Sequence, residues 1–502
     1  MKVLDEIIVN IEKLSNLGFG LAKHEGMVVF VENACPGDKL KVKITKLHKN
    51  WANAQIIEIL EKSPHRIEPP CAMQNICGGC QLQFIDYDYQ LRLKKEIIED
   101  ALKSIGGLDI EVKNPVPSPE NLHYRHKVQY PITQTKVSQR ILAGYYKPKS
   151  HEIVNIKYCP IQPLICDEII EFIRNSAFDY AISGYNEGKH TGDLRHVVIR
   201  VSKATGKILV TLVVNSTKIF ERLKDFAQNI YDNFKEVTGV CVNFNSKKTN
   251  VIMGENTELI VGKNFVKEQI LDKTFRIGSK TFFQINPQSA ENIFSFVRDY
   301  IKGLNEAGQR ESSLGLPTQQ QKTGNKTSAL PVVLDAYAGV TSFGITVSDI
   351  CKKVVCVEEN ADSVKLAEET IKLNGIKNIE LHKMDTQKFL ETKLNECLTF
   401  HPSPLGGEGV FRCEERASEK LGEGLFDIII LDPPRKGCSE ESLQYAMQLC
   451  KGKIIYVSCN PATLARDLKY LVSKGAKVEL IQPFDMFCHT YHIESVAIIN
   501  II

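Results

Sequence analysis

A series of short apolar runs between residues 332 and 458 constrains the fold more than any other feature of this chain. Each run ends in a polar residue, and most are followed by a segment of helical composition. Apolar runs that alternate with helical segments are typical of βαβ units in a parallel sheet. We therefore predict a doubly wound, Rossmann-like α/β domain over residues 271–502. In such a domain, ligands bind in a crevice at the carboxyl ends of the strands.

The predicted strand ends carry side chains suited to such a crevice. Residues 332–335 end in an acid and lead into a turn that contains Tyr337. Glu358 follows that turn by roughly 20 residues, the spacing of a ribose-binding carboxylate, and Asp385 and Asp432 end the next two runs. A nicotinamide-dependent dehydrogenase would share the acid after the second strand. That class needs a G-x-G-x-x-G turn, which is absent here, and has no use for the Asp-Pro-Pro that begins at Asp432.

A further run delivers a thiol to the same edge of the predicted sheet. Residues 453–458 have a strand pattern and are followed directly by Cys459. A cysteine at a strand end is often only a small apolar residue. The acids predicted at the neighbouring strand ends instead favour a covalent nucleophile. Such a reaction also needs a general base to remove a proton, and we assign that role to Glu494.

A cluster of three cysteines, Cys71, Cys77 and Cys80, lies in a short polar loop with two glycines. The chain has 15 cysteines, and without an export signal they indicate thiols, metal ligands or catalysts rather than disulfides. An all-cysteine zinc site and a cubane iron–sulfur cluster both require four thiolates, so we predict that Cys159 completes the set. The spacing does not distinguish zinc from iron–sulfur. Free buried cysteines are disfavoured because the loop is polar.

The first 62 residues contain short alternating stretches separated by glycine-rich turns, a pattern typical of a small β-barrel. We predict five strands and therefore an OB-fold. Lys39, Lys41 and Lys43 would share one face of a strand, either as a solvated edge strand or as a surface that contacts phosphates. By pattern, this segment resembles the TRAM domain, an RNA-binding OB-fold attached to several RNA-modifying enzymes.

A proline-rich linker begins at Ser63, and we predict a central α+β domain over residues 63–270. Its basic and aromatic residues interleave, as suits phosphates and unstacked bases. The net charge of +3 is too small to indicate nucleic-acid binding by itself, so any RNA surface must be local. We predict that Arg195 and Arg200 reach this surface from a strand. The other candidates are Arg92, Lys94, Lys95, the run from His123 to Lys127, Tyr145, Tyr146, Lys147 and Lys149.

Several of these motifs occur together in one family. The chain resembles the RNA uracil-5-methyltransferases, in particular the iron–sulfur-containing 23S ribosomal RNA branch with an N-terminal TRAM domain, over nearly its whole length. The segments that carry the resemblance are Phe282–Pro287, the turn after Asp335, Glu358, Asp432–Gly437, Ser458–Pro461 and Asp485–Glu494.

The resemblance implies methylation of carbon 5 of a specific uridine by S-adenosylmethionine, with 23S ribosomal RNA as the expected substrate. Cys459 would add to carbon 6 of the uracil ring, and Glu494 would remove the carbon-5 proton. The family also implies a [4Fe-4S] cluster on Cys71, Cys77, Cys80 and Cys159. The cofactor and uracil pocket would be lined by Gln284, Tyr337, Glu358, Asp385 and Asp432.

Two alternatives stay open at this point. A transfer-RNA version of the same reaction would have identical pocket chemistry, and a non-catalytic RNA-binding iron–sulfur protein would share the barrel and the basic residues. No apolar run approaches the ~20 residues of a membrane-spanning helix, and the N-terminus lacks a secretory pattern. We expect a cytoplasmic protein that binds structured RNA, without a membrane or an obligate protein partner.

The sequence departs from the family pattern at two positions. Thr341 stands where a second glycine is usual in the cofactor turn, and Cys488 stands where proline usually follows Met486 and Phe487. A threonine in a turn that requires positive φ would strain the loop. Two stretches, 306–330 and 401–424, are rich in Gly, Ser, Gln, Pro and Glu, and we predict that they are disordered insertions between core elements.

Overall fold

The computed structural model describes residues 1–313, 330–399 and 425–501. Most of the two predicted insertions, 306–330 and 401–424, lies outside these residues. The beginning of the first stretch is an exception, because residues 306–313 continue a helix rather than a disordered segment. None of the helices in the described ranges is both long enough and apolar enough to span a bilayer.

The N-terminal region forms one six-stranded sheet. Its strands are β1 (Glu6–Asn10), β2 (Lys13–Leu14), β3 (Gly20–His24), β4 (Met27–Val31), β5 (Lys39–Leu47) and β6 (Trp51–Glu61), in the order β1-β5-β6-β4-β3-β2. The short strand β2 brings the number to six, one more than predicted. The lysine-bearing strand β5 lies between β1 and β6, so its interpretation as an edge strand is wrong. Lys39 and Lys41 form ion pairs with Glu61 and Glu6 on these neighbours, at 2.7 and 2.8 Å.

Helix α1 (Tyr87–Ala101) connects the N-terminal sheet to the rest of the molecule. Asp86 begins the helix by accepting a hydrogen bond from the Tyr89 amide. Leu93 packs against the N-terminal region, whereas Ile98 packs into the core of the C-terminal sheet. The region predicted as one central domain therefore divides its contacts between two neighbours.

The central region is built on a second six-stranded sheet, in the order β12-β11-β10-β9-β7-β8. Two helices, α2 and α3, cover one face, and the hairpin β13–β14 packs against the other, so all residues of β9 and β10 are buried. The elements are β7 (Lys127–Gln134), β8 (Ile141–Ala143), α2 (Leu164–Ser176), β9 (Leu194–Val201), β10 (Ile208–Val214), α3 (Glu221–Asn233), β11 (Val237–Phe244), β12 (Thr257–Gly262), β13 (Phe265–Ile270) and β14 (Lys273–Gly278).

Four basic residues predicted to contact RNA, including His126 at 7% exposed, are buried instead. Arg195 and Arg200 lie on β9, and each is only 4% exposed. Arg195 donates a hydrogen bond to the Asn245 carbonyl at 2.6 Å, and Arg200 donates to the Thr281 carbonyl. Lys94, on α1, is also completely buried. The predicted surface positions of Arg195 and Arg200 are therefore wrong: their charges satisfy carbonyl groups of loops that fold over the sheet.

The C-terminal region contains a seven-stranded sheet in the order β17-β16-β15-β18-β19-β21-β20. Among these strands, β21 alone runs in the direction opposite to the other six. The elements are α4 (Pro287–Ser313), β15 (Val332–Ala336), α5 (Ser342–Val347), β16 (Lys353–Glu358), α6 (Ala361–Leu373), β17 (Ile379–Lys383), α7 (Thr386–Thr399), β18 (Phe426–Leu431), α8 (Glu440–Leu449), β19 (Cys450–Ser458), α9 (Pro461–Ser473), β20 (Lys477–Phe484) and β21 (Glu494–Asn500).

Helices cover both faces of this sheet. One core contains apolar residues of α1, α7, α8 and α9, and a second contains residues of α4, α5 and α6. Strands buried on both faces explain why the sequence shows continuous apolar runs rather than alternation. The doubly wound α/β fold predicted for this region is confirmed.

Arg195→Met tests whether this arginine is structural. The substitution leaves buried carbonyl groups, including that of Asn245, without their donor. We expect the free energy of unfolding to fall by about 2–4 kcal/mol in chemical denaturation. The slope of RNA affinity against salt concentration should not change, because no phosphate contact is lost. Lys235→Met, at a side chain that is 93% exposed, is the control and should change stability by less than about 0.5 kcal/mol.

Candidate active site

Strand β15 lies between β16 and β18, and the order of the strands along the chain reverses at β15. Ligand crevices form at such points in doubly wound sheets. Asp335, on β15, is fully buried there. One of its carboxylate oxygens accepts a hydrogen bond from the Gly344 amide at 2.8 Å, and the other has no partner within the described residues. Burial raises the pKa of Asp335 to about 7, and the charges of Asp432 and Glu358 add to this effect.

The turn after β15 has a left-handed backbone at three residues. The φ angles of Tyr337, Gly339 and Thr341 are 64°, 57° and 63°. Glycine adopts this conformation freely, whereas for a residue such as threonine it has a free-energy cost on the order of 1–3 kcal/mol. The strained conformation expected at Thr341 is confirmed, and its effect on cofactor affinity stays a prediction. Gly344 follows where a Cβ atom would lie 2.5 Å from the Cys356 sulfur.

Three of the predicted cofactor residues lie around this turn. Glu358 ends β16, and its carboxylate accepts a hydrogen bond from the Gly339 amide at 2.8 Å. Asp385 lies directly before α7 and accepts one from the Lys388 amide at 3.0 Å. Burial raises the pKa of Tyr337, whose hydroxyl lies close to α8. The sheet thus gathers residues that are distant in sequence along one edge.

Gln284 comes from a different part of the chain, the loop between β14 and α4. Asn286 in this loop is buried and donates a hydrogen bond to the Met486 carbonyl at 3.3 Å. Ser289 donates to the Asp485 carbonyl at 3.0 Å. Within the described part of the chain, no hydrogen bond joins Gln284 to the strand-end acids. Its loop is instead fixed to the segment that precedes β21.

The predicted nucleophile and base lie at the end of one strand pair. Strands β19 and β21 are antiparallel, with Ser458 opposite Ser495. Extending this register by one residue places Cys459 opposite Glu494, the first residue of β21. Side chains in such positions are roughly 4.5–5.5 Å apart at Cβ. Cys459 is half-buried and Glu494 is buried, so the register brings the two predicted catalytic residues together.

The electrostatics of this pair are dominated by burial. Burial raises the pKa of Cys459 to about 11, the charges of Glu494 and Asp432 raise it further, and Arg435 opposes them. Burial also raises the pKa of Asp432 to about 7 and that of Glu494 well above its usual range. The thiol is therefore protonated at neutral pH when no ligand is bound. The sequence motif Asp-Pro-Pro-Arg predicts no role for Arg435, and the position of Arg435 near the Cys459 thiol was not predictable from spacing.

The four predicted metal ligands, Cys71, Cys77, Cys80 and Cys159, line one cavity. Burial raises the pKa of the Cys80 thiol to about 12, and neighbouring cysteines add to this effect. Within residues 1–313, 330–399 and 425–501, no group of three or more His, Cys, Asp or Glu is arranged to hold a metal ion directly. The four predicted ligands therefore surround one cavity.

The fold is similar to that of the Pyrococcus abyssi tRNA (uracil-54, C5)-methyltransferase in complex with S-adenosyl-L-homocysteine. The two chains are 26% identical with a TM-score of 0.68, and the match covers 98% of this chain and 100% of the other. The seven-stranded sheet and its strand-end crevice thus define an S-adenosylmethionine-dependent methyltransferase fold.

The sequence comparisons are more specific. Residues 322–501 match the family described as tRNA (Uracil-5-)-methyltransferase, and residues 2–57 match the TRAM domain. Uncharacterized RNA methyltransferases of Halalkalibacterium halodurans and Clostridium acetobutylicum are 33% and 34% identical to this chain. These matches cover 99% and 98% of this chain, and 97% and 96% of the relatives. The chain belongs to this family of RNA methyltransferases, in which a TRAM domain accompanies a uracil-5-methyltransferase domain, and the predicted family membership is confirmed.

Glu494→Gln tests the coupling between the two predicted catalytic residues. The substitution keeps the size of the side chain and removes a charge that raises the pKa of Cys459. We expect alkylation of Cys459 by iodoacetamide to rise at lower pH in the variant than in the wild type, because the thiolate is the reactive form. Peptide mass spectrometry over a pH series measures this rate, with the exposed Cys397 as internal reference. Identical Cys459 profiles in both proteins would contradict the coupling.

Proposed function

We propose that this protein methylates carbon 5 of a uridine in RNA, with Cys459 as the covalent nucleophile and Glu494 as the general base. The observation that carries this proposal is the register of β19 and β21, which sets the thiol opposite the carboxyl group at the edge of the crevice. Methylation of carbon 5 of uracil needs both a nucleophile and a base.

Carbon 5 of uracil is too weak a nucleophile to attack a methyl sulfonium unaided. The Cys459 thiol loses its proton to solvent, the thiolate adds to carbon 6, and the resulting enolate makes carbon 5 nucleophilic. When bound, S-adenosylmethionine supplies the electrophilic methyl group, with S-adenosylhomocysteine as the leaving group. Glu494 then takes the carbon-5 proton, the electron pair of that bond re-forms the ring double bond, and the bond from sulfur to carbon 6 breaks. The thiolate is released and can react again.

The crevice residues supply binding for this reaction. We propose that Gln284, Tyr337, Glu358, Asp385 and Asp432 line the pocket for cofactor and uracil. Glu358 has the position of a ribose-binding acid, because it is the last residue of β16, the second parallel strand along the chain. Asp432, with a pKa of about 7, can donate a hydrogen bond to a polar group of the uracil or accept one from it. The target uridine must leave its stack, since the thiol and the methyl donor both require access to the ring.

We propose 23S ribosomal RNA as the substrate, on the strength of the four cysteines that mark the ribosomal branch of the family. Transfer RNA is the second candidate, because the similar Pyrococcus abyssi protein is a tRNA (uracil-54, C5)-methyltransferase. The reaction would be the same in both cases. The surfaces that face the RNA would decide between them.

The purified protein with labelled S-adenosylmethionine should transfer methyl groups to one of these RNAs, and mapping the methylated nucleotide identifies the substrate. Cys459→Ala should bind the same RNA and transfer at least about a thousandfold more slowly, because the nucleophile is lost. Glu494→Gln should instead accumulate a covalent protein–RNA complex on a denaturing gel, because the carbon-5 proton stays in place. Equal transfer by wild type and Cys459→Ala would remove the proposed mechanism.

We also propose that Cys71, Cys77, Cys80 and Cys159 hold a [4Fe-4S] cluster. The four residues line one cavity, and four thiolates can complete either a cubane iron–sulfur cluster or a tetrahedral zinc site. The resemblance to the iron–sulfur-containing branch favours the cluster. A four-thiolate cluster has no open coordination position, so its contribution would be structural.

Anaerobic reconstitution with iron and sulfide tests the cysteine set. The wild type should take up roughly four iron and four sulfide per chain and gain a broad visible absorbance, whereas Cys159→Ser should lose most of both. Cys166→Ser is the control, because this buried cysteine lies near the cavity without lining it. Stoichiometric zinc in place of iron, or equal iron content in Cys159→Ser, would contradict the proposal.

A further inference from the structure

A completely buried ion pair lies beside the candidate active site and has no part in the reaction described above. Lys94 of α1 and Asp485, directly after β20, have fully buried side chains, and their Nζ–Oδ1 distance is 2.6 Å. Removing both charges from water is costly, and the attraction within such pairs often does little more than offset that cost. A buried pair of this kind therefore acts more on which conformation is adopted than on net stability.

The pair belongs to a network that fixes the segment 485–489. Lys94 also donates a hydrogen bond to the Phe487 carbonyl at 3.0 Å. The Tyr87 hydroxyl donates to the second carboxylate oxygen of Asp485 at 2.8 Å. Both donors lie on α1, far away in sequence. The position of this segment is thus set by a helix outside the sheet rather than by its own strand.

The segment adjoins the candidate base. In the β20–β21 pair, Phe484 lies opposite Glu494, so Asp485 follows the very residue that pairs with the base. On the other side of β21, the register with β19 sets Cys459 opposite the same glutamate. Glu494 therefore has the nucleophile on one side and the end of β20 on the other. The hydrogen bonds of Lys94 and Tyr87 reach the second side, where Asp485 follows β20.

We propose that Lys94 is a positioning residue for Glu494: through Asp485, it holds the base where its carboxylate reaches the carbon-5 proton of the methylated adduct. This inference rests on the proposed function, because it takes Glu494 as the base. Without the Lys94 ammonium, the Asp485 carboxylate is buried without a counter-ion, which favours movement of its segment. This movement shifts the end of β20, whereas Cys459 keeps its place directly after β19. Displacement of a catalytic group by 1 Å can slow the reaction by about a hundredfold.

Lys94→Met in the full-length protein tests this role, with the RNA identified by mapping as substrate. In single-turnover reactions, we expect proton removal to slow by about tenfold or more, while adduct formation stays within about twofold of the wild-type rate. A methyl-labelled covalent protein–RNA complex should therefore accumulate, as in Glu494→Gln. The Kd values for RNA and S-adenosylmethionine should not change, since Lys94 contacts neither ligand in this proposal.

Arg66→Met is the matched control, because it breaks a second largely buried ion pair, between Arg66 and Asp38 at 2.7 Å, which is remote from β21 in sequence. The control should lower the unfolding temperature without accumulation of the covalent complex. Tyr87→Phe removes one contact to Asp485 and keeps the ring. It should show the same accumulation to a smaller extent and serves as the test if Lys94→Met does not fold.

Two results would overturn the positioning role. One is accumulation in Lys94→Met and Tyr87→Phe at the level of the Arg66→Met control. The other is an equal slowing of adduct formation and proton removal, which indicates a general structural defect. Failure of the proposed function itself would look different, because the wild type would then transfer no methyl group to uridine or would do so without Cys459.

Discussion

The antiparallel direction of β21 is the constraint on which the rest of the site depends. In a parallel sheet, the ends of all strands lie at one edge and their beginnings at the other, so a residue that begins a strand is remote from the crevice. Strand β21 runs against both neighbours, and its first residue, Glu494, therefore stands at the carboxyl edge beside Cys459. A nucleophile that follows one strand and a base that begins the next can be neighbours only through this reversal. The segment 485–489 follows the carboxyl end of β20, which runs parallel to β19, and therefore begins at the same edge.

Burial then determines the chemistry at this edge. Burial raises the pKa of Asp335, Asp432 and Glu494, and the charge of Asp432 adds to the shift at the other two. Arg435 opposes this shift at Glu494 and at Cys459. A crevice with several carboxyl groups and little positive charge favours a cationic ligand, and the sulfonium of S-adenosylmethionine is a cation. A bound cation would in turn favour the ionised forms of these acids. The burial that raises the pKa of these acids thus makes their ionisation sensitive to a positively charged methyl donor.

The sequence was informative where the determining pattern is local. An apolar run with a polar exit is visible within about ten residues, so the strand-end acids and the doubly wound fold were predictable. Burial of Arg195 was not, because its acceptor at Asn245 lies on a loop 50 positions away. A charged residue in a strand pattern looks like a surface residue unless its distant partner is known. The pairing of β19 with β21 is equally non-local, and Glu494 was assigned from the needs of the chemistry and the family resemblance rather than from spacing.

Helix α1 and the cysteine loop both form hydrogen bonds with the segment 485–489, which precedes the proposed base, Glu494. The amides of Gln81 and Leu82, directly after Cys80, both donate hydrogen bonds to the His489 carbonyl, at 3.0 and 2.9 Å. The segment that Lys94 holds at its beginning is therefore held at its end by the loop of the cysteine cavity. These two backbone hydrogen bonds join the cysteine loop to the connection from β20 to β21. A movement of the cysteine loop would therefore act on the same connection that Lys94 holds from α1.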